Sequence, residues 1–95
     1  MAIQPSSDAY VFLAQLALAR DKPAEVAPLV AAALALEPAH GGARIALGDL
    51  YIREGKYDQA IAAFEEALKV DPIRAQGMAG ARLEAARQKR DAAKH

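Results

Sequence analysis

Apolar residues recur at three- and four-residue intervals through almost the whole chain, and nowhere do they alternate with polar ones over a strand's length. The pattern predicts helices throughout. The first runs through "AYVFLAQLALAR", with Ser7 or Asp8 as its cap, and is broken at Asp21 and Pro23, where a second opens and ends before Pro38. A third covers "RIALGDLYIRE" and stops at Gly55, whose tolerance of left-handed backbone suits a helix C-terminus. Asp58 is expected to cap the fourth, and a fifth stretch runs from about Ile73 to Lys94 with no partner behind it.

Two features strain this reading. Pro28 lies inside the second helix and removes a backbone donor, so a bend or a late start is expected there. Gly77 and Gly80 weaken the fifth helix by about 1 kcal/mol each relative to alanine. Close packing against a neighbour is the expected compensation.

The chain also repeats itself. Pro38 and Pro72 are 34 residues apart, and "AALALEP" before the first aligns with "EALKVDP" before the second. Leu13 and Leu47 share the offset, as do the turns "ARDKPAEV" and "REGKYDQA". A period of this length is the mark of a stacked supersecondary unit, here helix, turn, helix.

The second unit carries Leu47, Gly48, Tyr51, Ala60, Phe64, Ala67 and Pro72 at the signature spacings of the tetratricopeptide repeat, which it resembles over residues 41–74, departing mainly at Arg44, where tryptophan is usual. Gly48 falls on the face that must approach the next helix, where Ala60 is expected to meet it. Pro72 ends the fourth helix and forces Asp71 out of helical geometry. Residues 7–40 are a degenerate copy: Tyr10, Leu13 and Pro38 fit, while Ala14, Ala17, Val26 and Val30 replace glycine, tyrosine, alanine and phenylalanine. Residues 75–95 resemble the helix that closes such arrays, with a polar outer face in "EAARQKRDAAKH". The resemblance implies an all-α superhelical solenoid: two repeats plus a C-terminal capping helix in one domain.

Composition narrows the chemistry. A chain of 95 residues has room for one core and no large catalytic cavity. About a quarter of it is alanine, which favours helices packed through small faces. Twelve basic residues balance twelve acidic ones, so no nucleic-acid or membrane partner is implied by charge. Without cysteine there is no disulfide, thiolate metal site or thiol nucleophile. The longest apolar run, Tyr10 to Ala19, is too short to span a bilayer and lacks a preceding basic region, so a cytoplasmic protein is expected.

No catalytic, cofactor or metal site emerges. Ser6 and Ser7 have no histidine in their unit, and Glu65 is expected to pair with Lys69 on an exposed face. His40, in the turn before Gly41 and Gly42, reads as a solvated turn residue; Glu37 and Asp71, its nearest candidate co-ligands, lie a repeat apart. His95 is the last residue. The basic end, with Arg82, Arg87, Lys89, Arg90 and Lys94, reads as a solvated cap face interrupted by Glu84 and Asp91.

In the family that the chain resembles, the first helix of each repeat lines a concave groove that holds a partner peptide or helix. By position, that groove here comprises Val11, Gln15, Leu18, Ile45, Asp49, Ile52, Arg53, Gln76 and Leu83, unless several of them pack against adjacent helices or another copy. The two-carboxylate clamp of chaperone-binding members is absent, since its places hold Val11, Gln15, Ala46, Gln76 and Gly80. A non-catalytic adaptor for an unidentified protein partner is the leading expectation. Self-association as a homodimer is the second, because solenoids usually need about three repeats for stability. The third is a piece of a larger protein, to which the abrupt opening "MAIQPSSD" also points.

Overall fold

The computed structural model describes residues 6–93, so Lys94, His95 and the opening "MAIQP" segment lie outside the described residues. Among the described residues five α-helices follow one another: α1 (Ser7–Ala19), α2 (Val26–Leu36), α3 (Gly41–Arg53), α4 (Tyr57–Val70) and α5 (Pro72–Ala93). No strand occurs among the described residues. A 3-10 turn, Pro23–Glu25, precedes α2. It delays the α-helix to Val26, so Pro28 falls in the first turn, where its missing N–H would have had no intrahelical partner.

The helix ends follow the repeat. Asp21 (φ 60°) and Gly55 (φ 75°) occupy equivalent left-handed positions 34 residues apart. The backbone bonds around them match as well: Lys22 N–H donates to Ala17 O at 2.8 Å, and Lys56 N–H to Tyr51 O at 2.8 Å. Glu37 (φ −144°, ψ 90°) and Asp71 (φ −148°, ψ 64°) are both driven out of helical geometry by the proline that follows. The caps differ from expectation. Ser6 caps α1, its Oγ accepting from Ala9 N–H at 3.1 Å, while Asp8 sits in the first turn. Lys56 precedes α4, leaving Asp58 inside its first turn, where a negative charge still opposes the helix dipole favourably.

Two apolar clusters share α3. Ala43, Ala46 and Leu50 turn one way, onto Val11, Ala14 and Ala17 of α1 and Val26, Val30 and Ala33 of α2. Ile45 turns the other way, into a cluster with Ala60, Ile61, Phe64 and Ala67 of α4 and Ala75, Ala79, Leu83 and Ala86 of α5. More than half of the buried apolar residues are alanine, so helices approach closely and a few large side chains, chiefly Phe64, Ile45 and Val26, fill the gaps.

Gly48 shows how tight that approach is. A Cβ there would stand 2.4 Å from Cε1 of Phe64, so the phenylalanine ring is the nearest neighbour of this glycine, closer than the expected Ala60. The first repeat solves the same problem with other volumes: Val30 has no ring, and Ala14 keeps its methyl. Gly77 and Gly80 were expected to pack closely, but a Cβ at either would meet nothing within 4 Å. Nothing in the structure explains glycine at these two positions.

Candidate protein-binding groove

The side chains assigned to the groove divide into two groups. Val11, Ile45 and Leu83 are buried core residues and present nothing to a partner, which corrects the expectation for all three. The cause lies in α3 and its neighbours: a helix packed on two sides turns positions inward that repeat geometry alone would place on the open face. Gln15, Leu18, Asp49 and Ile52 are half-buried, and Arg53 and Gln76 are exposed. Leu18 also packs on the first cluster and Ile52 on the second.

Two of the accessible members, Arg53 and Asp49, are held by hydrogen bonds between helices. Arg53 donates to Leu18 O at 3.1 Å and to the Asp21 carboxylate, linking α3 to the end of α1. Arg82 Nε donates to both oxygens of Asp49, at 3.0 and 3.2 Å, and its Nη1 donates to Met78 O at 3.2 Å. Between α3 and α5 this pair borders a shallow cleft of about 120 Å³, lined by Ile52, Phe64, Ala85, Ala86 and Lys89. Small-molecule sites usually run from about 300 Å³ upward, so the cleft suits a single side chain better than a ligand. Arg82, Ala85 and Lys89, which line this cleft, were not assigned to the groove because the basic end read as a solvated cap. Its cations are in fact largely engaged: Arg87 lies 3.6 Å from Glu65 and Arg90 3.8 Å from Asp58, tying α5 to α4. Glu65 therefore pairs across helices and not with Lys69.

Burial pushes the Asp49 carboxyl up, and the Arg82 guanidinium only partly offsets this. A raised carboxyl binds its proton more tightly in the folded state. Its contribution to stability is therefore greatest below the ordinary carboxylate range and is lost as pH rises through the raised value. Asp49→Asn should then melt no earlier than the parent at pH 7. Its melting temperature should also gain less than the parent's when the pH is lowered toward 4, as paired thermal melts would show.

A second constellation forms at the joint between repeats. Glu37, His40 and Asp71 bring ligand-type atoms within 4.8 Å of one another, although sequence placed them a repeat apart. His40 is buried at 3% exposure, contrary to the expectation of a solvated turn residue. Its Nδ1 caps α3 by accepting from Ala43 N–H at 3.2 Å, which puts the ring proton on Nε2, donated to Asp8 Oδ1 at 2.5 Å. That bond holds the Asp8 carboxyl below its ordinary value. Asp71 accepts from Gly41 N–H at 2.9 Å, and Arg74 is the cation shared by Glu37 and Asp71. Both ring nitrogens are thus engaged, and the arrangement acts as a clasp joining α1, α3 and α5. A polar residue directly before two glycines at a helix start is the one signal that pointed to a cap here.

Paired antiparallel helices stacked side by side, each leaning only on its neighbours, define a helical-hairpin repeat protein. Residues 17–83, well over half the chain, match the family model of the tetratricopeptide repeat. The chain belongs to that family, whose domains are generally non-catalytic modules for protein–protein interaction. Among curated proteins no match is found. No helix is long and apolar enough to cross a membrane among the described residues.

Proposed function

We propose that the chain is a non-catalytic adaptor that takes an extended or helical segment of a protein partner across α3 and α5. Residues 7–40 and 41–74 serve as its repeats and 75–95 as the closing helix of one domain. The observation that supports this reading is the cleft beside the Asp49–Arg82 pair, which offers apolar surface at Ile52 and Ala85 with a cationic edge at Lys89. Such a surface fits one apolar anchor residue followed by an acidic one. Gln15, Leu18, Arg53 and Gln76 extend the contact along the same face.

Ala85 and Lys89 are exposed, so Ala85→Glu with Lys89→Glu should keep the helical spectrum and melting temperature while placing charge at the cleft. Affinity capture from the source cell with parent and double variant side by side is the test. Loss of a specifically captured partner by tenfold or more supports the reading. A folded double variant that captures the same partners equally well moves binding to another surface.

A further inference from the structure

Opposite its core side, α1 carries a second apolar stripe. Ala9, Phe12, Leu16 and Ala19 follow one another at intervals of three, four and three residues, the spacing of a helix-pairing seam, while Val11, Ala14 and Ala17 face inward. Phe12 is 64% exposed and Leu13 beside it 40%. The neighbouring α2, "VAPLVAAALAL", has no polar residue at all, although only Val26, Val30 and Ala33 are buried. A helix apolar on every side is one that is normally covered.

From this seam we infer that α1 pairs with α1 of a second copy, antiparallel, about a twofold axis level with Ala14. Read in the two directions, the seam is its own complement. Ala9 meets Ala19, Phe12 meets Leu16, and Asp8 at one end meets Arg20 at the other. Antiparallel seams pair their two kinds of position in this way, and an isologous contact requires such self-matching. Asp8 keeps 77% of its side chain exposed despite its bond to His40, and Arg20 forms no ion pair among the described residues. Each end of the seam therefore has a charge available for the other copy.

The surface also holds a matching hollow. Between α1 and α2 a cleft of about 230 Å³ is lined by Leu13, Leu16, Ala17 and Leu29, with Arg20 and Glu25 at its rim. A cavity of about 150 Å³ accommodates benzene, so the cleft has room for a phenyl ring. In the antiparallel pairing, Phe12 of each copy stands over Leu16 of the other, at the mouth of that cleft. Knob and hole thus lie on the same surface and are exchanged by the twofold. The seam is about 18 Å long, which places the contact among small interfaces of less than about 1,200 Å² and makes the dimer weak and concentration-dependent.

Sedimentation over a concentration series should show a monomer–dimer equilibrium for the parent. Phe12→Glu should raise the dissociation constant at least tenfold with helicity and dilute-solution melting unchanged, because Phe12 is outside the core. Orientation has its own readout, since the chain lacks cysteine and single thiols can be placed at will. Ala9→Cys mixed with Ala19→Cys should form a disulfide-linked pair on mild oxidation, whereas neither variant alone should. A parent that stays monomeric up to about 1 mM overturns the inference and leaves the face to a different polypeptide. So does undiminished dimerisation of Phe12→Glu, or cross-linking of each cysteine variant to itself.

Discussion

Gly48→Leu should leave little folded protein at physiological temperature. A Cβ at this position already falls 2.4 Å from Cε1 and 2.8 Å from Cδ1 and Cζ of Phe64, and the ring is wholly buried with nowhere to turn. Leucine adds three more carbons to that overlap, so either α3 or α4 must move, at an expected cost of about 4 kcal/mol or more. A domain of this size is stable by only about 5–10 kcal/mol, so such a loss is a large part of the whole. Gly77→Ala is the internal control. Its Cβ meets open space, and removing a flexible residue from a helix should raise stability by about 0.5–1 kcal/mol. Thermal melts of the two variants should therefore move in opposite directions; a Gly48→Leu protein that melts with the parent would refute the packing described for α3 and α4.

Ile45→Glu is expected to be comparably damaging, for an electrostatic reason. Ile45 is fully buried among Ala60, Phe64 and Ala75, and none of these offers a hydrogen bond to a carboxylate. Ionised glutamate there has no partner, and the cost should again reach about 4 kcal/mol. Because burial raises a carboxyl's proton affinity, the damage should ease as pH falls and the group becomes neutral. Ile45→Val, which removes one methylene, should cost only about 0.5–1.5 kcal/mol at any pH. If the glutamate variant is folded at neutral pH with no dependence on acid, Ile45 is exposed and belongs to the groove after all.

The fate of Ile45 shows where sequence periodicity stops being informative. In α4 the buried residues Ala60, Ile61, Phe64 and Ala67 lie on a single stripe, and that face was legible from spacing alone. In α3 the buried residues include Gly42, Ala43, Ile45, Ala46, Gly48 and Leu50, which wrap most of the circumference because two clusters claim the same helix. No single face can be read from such a pattern, so repeat position put Ile45 in the groove when it is core. Turn chemistry was more transparent. Gly55, Pro38 and Pro72 act within a residue or two of themselves, and backbone sterics decide their conformation without reference to the rest of the chain. Arg82 and His40 were opaque for the opposite reason, since their partners Asp49 and Asp8 are 33 and 32 residues away.

The sharing of α3 between two clusters also bears on how quickly the chain can find its structure. Substantial packing joins α1 to α2 and α3, and α5 to α3 and α4, with no extensive contact between α1 and either of the last two helices. The turns between successive helices are short and the packing contacts span about one repeat at most, so the entropic toll of closure stays modest and topology favours folding in microseconds to milliseconds. Either hairpin can form first and offer α3, or a docking face for it, to the other half. A chain so organised has no distant segment to wait for, and ordering can spread from one end to the other by local steps alone.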